Sequence, residues 1–186
     1  MTALASLASS ASTRPRCDLA LTRTQVVFGD GVLHADVLLL GEAPGADEDR
    51  LGVPFVGRFG RLLTQRVEEE LGLTRDRCSS TDVVTCRPPG NRNPRPPGIA
   101  ACALWLEGQL ESLEPVVVIP SGNVASRRLL TTKDGITSLR RRSCAWRGTT
   151  LVPTFHPAAR LRGGPTTVTA MREDLALARP VLEEAA

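Results

Sequence analysis

Four short apolar runs punctuate the chain, at Val37 to Gly41, Asp82 to Cys86, Val116 to Pro120 and Thr150 to Phe155. Each has the length and β-branched content of a strand. The stretches between them follow a different period. Phe59, Leu62, Leu63, Val67 and Leu71 recur at helical spacing and stop at Gly72; Ile99, Cys102, Leu106, Leu110 and Leu113 do the same after the second run. A third helix is expected to start near Asn123, and a last one near Val168 with Leu175 and Leu177 turned inward. Strands alternating with helices predict an α/β protein with a parallel sheet.

In open parallel sheets, ligands bind beyond the carboxyl ends of the strands, where loops gather side chains from several strands. Those loops read "GEAPGADED", "CRPPGNRNP", "PSGN" and "FHPAARLR" in chain order. All four combine polar groups with Gly or Pro, which is more than helix caps alone require.

Composition narrows the compartment and the partners. At 186 residues the chain fits one domain with a sizeable core. Its net charge of +3 comes almost wholly from arginine, Lys133 being the only lysine. Arginine binds phosphate bidentately, so the bias permits nucleic-acid binding, although arginine-rich codon usage explains it equally well. Five cysteines are too few for a disulfide scaffold and point to a reducing compartment. The Ala/Ser-rich start lacks the features of a signal peptide, so residues 1–13 read as a disordered tail and 14–186 as one domain. With no apolar run of transmembrane length, a cytoplasmic monomer is expected.

Candidate chemistry sits in the four loops. Glu42, at the turn Gly41-Glu-Ala-Pro-Gly45, reads either as a water-orienting carboxylate or as an acidic helix cap. Phe55, in Val53-Pro-Phe-Val-Gly57, reads either as a stacking platform for a planar ligand or as core. Of the two histidines, His34 looks incidental, whereas His156 directly follows the fourth run and suits stabilisation of a developing anion. Beyond it, Arg160-Leu161-Arg162 can grip phosphates while an apolar wedge enters a base stack.

Taken together, "GEAPG", "PFVGRFG", "TCRPPGNRNP", "SGN" and "PTFHPAARLR", in this order, resemble the family 4 uracil-DNA glycosylases, the iron-sulfur branch of their superfamily. The resemblance runs from about Cys17 to Asp174. It implies a single three-layer α/β/α domain with a four-stranded parallel sheet, and hydrolysis of the N-glycosidic bond of deoxyuridine in DNA. It further implies that Glu42 handles the water, Phe55 stacks on the extruded base, and His156 faces uracil O2. Arg160, Leu161 and Arg162 would enter the duplex, and Asn123 would hold a polar position near the base. No redox or nucleotide cofactor is needed for attack by water.

Two positions depart from the family pattern. The resemblance implies four thiolate ligands to a [4Fe-4S] cluster. Cys86 and Cys102 match the later pair, and Cys17, followed by Leu19 and Arg23, matches the second member of the earlier one. The first member falls on Arg14, a poor ligand because guanidinium stays protonated. A cluster with an open or substituted iron, a three-iron cluster and no cluster all remain open; Cys78 and Cys144 are unplaced by the pattern. The second departure is Asp82, where the family has asparagine, whose amide donates to O4 and accepts from N3–H. An ionised aspartate only accepts. Either its carboxyl is protonated, or the preferred base offers a donor, as cytosine does, or binding survives without catalysis, or Asp82 merely caps a turn.

Overall fold

The computed structural model describes residues 3–13 and 17–185. Its strands are β1 (Asp30–Gly31), β2 (Val37–Gly41), β3 (Cys78–Asp82), β4 (Val117–Pro120), β5 (Cys144–Trp146) and β6 (Thr149–Leu151). They form one sheet in the order β1-β3-β2-β4-β6-β5. The four inner strands are parallel, as expected. The sheet has six strands rather than four, because each edge carries a short antiparallel strand, β1 on β3 and β5 on β6. Arg147 and Gly148, both at positive φ, turn β5 back into β6, the backbone that a two-residue hairpin needs.

β3 occupies Cys78–Asp82, so the second strand ends where the sequence reading has it begin. All five of its residues are buried although four are polar. Its hydroxyls explain the exception. Ser79 donates to Val32 O at 2.6 Å, Ser80 to Asp30 O at 3.4 Å, and Thr81 to Phe28 O at 2.9 Å. The three hydroxyls are thus paired with carbonyls of the edge segment, which removes most of the cost of their burial, while Asp82 at the strand's end faces the cleft. The apolar residues that follow, Val83 and Val84, pack beneath the first loop instead, their amides donating to Gly41 O and Glu42 O.

The helices are α1 (Ala3–Thr13), α2 (Ala46–Leu51), α3 (Arg58–Leu71), α4 (Pro96–Leu113), α5 (Gly122–Leu130), α6 (Ile136–Leu139), α7 (Arg160–Ala176) and α8 (Arg179–Ala185). Consecutive residues of β2 alternate between two cores. Leu38 and Leu40 join residues of α4 and α5, while Val37 and Leu39 join residues of α3 and α7. This alternation makes three layers. Leu38, Leu39 and Leu40 are fully buried, each stabilising the fold by about 1.5–3 kcal/mol.

Gly72 closes α3 with φ 67°, and Pro96 opens α4. α7 begins with one turn, breaks at Gly164 and resumes at Pro165, with Leu175 buried and Leu177 half-buried. The start of the chain departs from the sequence reading. Instead of a disordered tail, Ala3–Thr13 is a helix. Leu4, Leu7 and Ala11 fall on one face and join the core of α4, so the Ala/Ser-rich composition conceals an apolar stripe.

Candidate active site

β2 and β3 end side by side, Gly41 paired with Asp82. A Cβ on Gly41 would collide with Asp82 Oδ1 and lie 3.1 Å from Phe55 Cζ. Only glycine leaves room there for a carboxyl and an aromatic ring together. Asp82 is 5% exposed, and among the described residues no group hydrogen-bonds its carboxyl. Burial pushes its pKa well above the usual carboxylate range, and the nearby Glu48 and Glu42 push it in the same direction.

The loop after β2 is held by a side chain that the sequence reading missed. Glu48, in α2, accepts from Gly45 N–H at 3.1 Å through one oxygen and from Gly57 N–H at 2.7 Å through the other. It ties the Glu42 turn to the Phe55 loop. Phe55 itself has φ 55°, a left-handed backbone that costs a non-glycine residue about 1–2 kcal/mol. Its neighbours hold it there: Arg75 donates to Pro54 O at 2.8 Å, and the first turn of α3 lies so close that a Cβ on Gly60 would strike the Phe55 backbone. Of the glycines of "PFVGRFG", Gly60 makes room for the Phe55 backbone, while Gly57 makes room for Glu48, whose Oε1 would lie 2.9 Å from a Cβ there. Glu42 is half-buried on the cleft wall, and burial raises its pKa.

On the far side of the cleft, β4 runs into Gly122, whose φ is 87° and whose N–H donates to Thr154 O at 2.8 Å. A Cβ on Gly122 would lie 2.8 Å from His156 Cβ. His156 Nδ1 accepts from Ala158 N–H at 3.2 Å, which puts the proton of the neutral imidazole on Nε2. Burial lowers its pKa, partly offset by Glu48. Asn123 also lines the cleft, but its Oδ1 accepts from Ile136 N–H at 2.7 Å, so its carbonyl is committed to capping α6.

A buried network secures the segment before His156. Asp174, fully buried, accepts from Thr154 Oγ1 at 2.8 Å, Arg140 Nε at 3.0 Å and Arg141 N–H at 3.0 Å. The Arg140 guanidinium sits 5.0 Å above the ring of Phe155, another cleft residue. These partners are 20 to 34 residues apart in the chain, and no motif spacing announces them.

The resulting cleft has a volume of about 900 Å³ and brings together Glu42, Phe55, Asp82, Asn123, His156 and Arg162. Arg160 and Leu161 are not among its lining residues; they stand beside it on the first turn of α7, with Leu161 69% exposed. Arg58 and Arg92, not singled out by the sequence reading, also line the cleft. A planar, polar ring fits between such groups: an aromatic face, a buried carboxyl whose pKa is raised, an imidazole N–H, and a half-buried carboxyl with a raised pKa to act on water.

The three thiols of the sequence pattern gather elsewhere, between α4 and the loop after β3. Cys86 and Cys102 are buried in the α4 core and Cys17 packs against it. Thr85 Oγ1 lies 3.8 Å from both Cys86 Sγ and Cys102 Sγ, and Arg23 donates to Cys86 Sγ at 2.9 Å. Arg14 lies outside the described residues. Among the described residues, no group of three or more His, Cys, Asp or Glu side chains is arranged to hold a metal ion. The donor set does not fit a four-thiolate cluster.

Comparison with known proteins gives a consistent result. The family model described as the uracil DNA glycosylase superfamily matches residues 28–176. The chain is 42% identical to the type-4 uracil-DNA glycosylase of Thermotoga maritima, over 78% of this chain and 77% of that one. It is 39% identical to the type-4 enzyme of Sulfurisphaera tokodaii, over 78% and 70% of the two chains. With that of Saccharolobus solfataricus it shares 37% identity over 81% and 73%.

Proposed function

The chain belongs to the uracil-DNA glycosylase superfamily, and to its type-4 branch, and from this footing we propose that it is a DNA-repair enzyme that hydrolyses the N-glycosidic bond of a flipped-out uracil. The observation that carries the reading is the convergence of Glu42, Phe55, Asp82 and His156 on one cleft. Among the described residues no helix is long and apolar enough to cross a membrane. The protein acts on DNA as a monomer.

Excision requires the base to leave the stack, then an electron-poor sugar and an anionic uracil to be stabilised as the bond breaks. Phe55 receives the face of the extruded ring. The protonated Asp82 carboxyl offers one O–H donor and one carbonyl acceptor, the pair that uracil O4 and N3–H require. Cytosine presents the reverse pair, an amino donor and an N3 acceptor, and would need the proton on the other carboxyl oxygen. The neutral His156 donates through Nε2–H to the O2 on which negative charge accumulates, and such donors are worth more in a closed site than in water. Glu42 orients the attacking water, its raised pKa making it a better base than a free carboxylate.

At the mouth, Arg160 and Arg162 grip phosphates and Leu161 enters the space the base vacates. Asn123 contributes only its amide N–H groups, since its carbonyl caps α6. An iron-sulfur group takes no part in this chemistry, because every reacting atom is water, sugar or base.

The direct test is base release from oligonucleotides of one sequence carrying uracil or cytosine at the same position. Uracil release, lost in Glu42→Gln and His156→Ala, supports the reading. Release of cytosine alone, or of neither base, overturns it.

A further inference from the structure

The sheet and helices leave one question that the cleft does not answer, namely how the N-terminal segment is fastened to the rest of the domain. Type-4 resemblance implies a metal cluster there, with four thiolates, and this chain supplies three. The other two cysteines cannot complete the set. Cys78 is in β3, within the core on the opposite face of the sheet, and the Cys144 thiol faces Leu151 O at 3.9 Å in the β5-β6 hairpin.

What joins the segment instead is Arg23. One guanidinium nitrogen donates to Cys86 Sγ at 2.9 Å, and the other reaches Ser12 O, in the last turn of α1, at 3.4 Å. The same side chain therefore touches the loop after β3 and the exposed carbonyl end of α1, where positive charge is also favoured. Around it the contacts are apolar and close. Leu7 of α1 lies against α4 where a Cβ on Gly108 would be 2.6 Å from Leu7 Cδ1. Ala11 and Leu19 are each 2% exposed, and Leu19 sits over Gly98 at the start of α4.

We propose that in this protein Arg23 and the docked helix α1 replace an iron-sulfur cluster, cross-linking the N-terminal segment to the β3-α4 loop with hydrogen bonds and packing alone. Arginine suits the task because its planar fork serves two acceptors at once, one a sulfur and one a carbonyl. Cys86 and Cys102 then act as small buried side chains, with Thr85 between them.

The test uses the full-length protein purified under anaerobic conditions. Iron analysis and the visible spectrum are expected to show no bound iron and no charge-transfer band. Arg23→Met, which keeps the aliphatic stem, is expected to lower Tm by about 3–8 °C and to speed hydrogen exchange in residues 3–13 by at least tenfold, since their anchor is gone. Arg23→Lys keeps the charge without the fork and should fall between the two; it also serves where the methionine variant does not fold. Stoichiometric iron with visible absorbance overturns the proposal. So does an Arg23→Met protein with parental Tm and parental exchange in α1, for then the helix is held without Arg23.

Discussion

Asp82 Oδ1 fills the space that a side chain on Gly41 would occupy, although the two residues lie 41 positions apart in the chain and meet only because β2 and β3 pair. Gly41→Ala therefore pushes the carboxyl out of place. Overpacking of this kind costs about 1–3 kcal/mol in stability. Uracil release should fall much further than stability does, as the base loses its polar partner. Urea unfolding and single-turnover release on the same preparation separate the two effects, and a Gly41→Ala enzyme with parental rate would mean that Asp82 does not face the base.

Glu48 carries a second prediction. Its charge raises the pKa of Asp82 and its oxygens hold Gly45 and Gly57. Glu48→Gln removes the charge, so the pH at which Asp82 ionises should move down, and the loss of uracil release at high pH should begin earlier. A merely structural role would lower the rate without moving the profile.

His156→Ala should slow single-turnover release by about 100- to 1,000-fold, the usual effect of losing one donor to a developing anion. DNA binding should stay nearly unchanged. Rate and affinity that fall together would make His156 a packing residue.

At the mouth of the cleft, replacing Arg160 and Arg162 together should weaken binding to any DNA sequence and reduce the salt slope by roughly one to two units. Leu161→Ala should slow release from duplex far more than from single strands, where the base needs little help to leave a stack. Filter binding across a salt series checks the first, and paired single-turnover assays check the second.

Stability should depend on pH through the same buried groups. Asp82 and Glu42 have folded pKa values above their ordinary 3.8 and 4.5. Their contribution is fully present below those values and is lost as pH rises through the folded pKa values. His156 works the other way, its contribution present above 6.5 and lost as pH falls through its lowered pKa. Urea midpoints between about pH 5 and pH 8 should show Asp82→Asn gaining on the parent as pH rises.

Much of this architecture was legible in the sequence because it rests on local signals. The apolar runs marked three of the four parallel strands, and Gly or Pro marked the loops that carry Glu42, Phe55 and His156. β3 was displaced because its buried face is built from Ser and Thr, whose partners are carbonyls about 50 residues away. Glu48 was hidden for a related reason, since its acceptors' partners are backbone amides, which leave no trace in composition. Arg140, Asp174 and Arg23 act across the fold, and only the folded chain brings their partners within reach. The helix of α1 was masked by its Ala/Ser content, which resembles that of a loose tail.

Uracil recognition turns on whether Asp82 meets the base as a protonated acid. The most direct measurement is single-turnover uracil release by the parent and Asp82→Asn proteins across a pH series, expressed as the ratio of their rates at each pH. An asparagine amide presents the same donor and acceptor at every pH, whereas the acid loses its donor on ionisation. The ratio should be flat on the acid side and then turn in favour of Asp82→Asn, approaching tenfold per pH unit above the raised pKa. A ratio that stays constant throughout, with the parent the faster enzyme, would contradict the account.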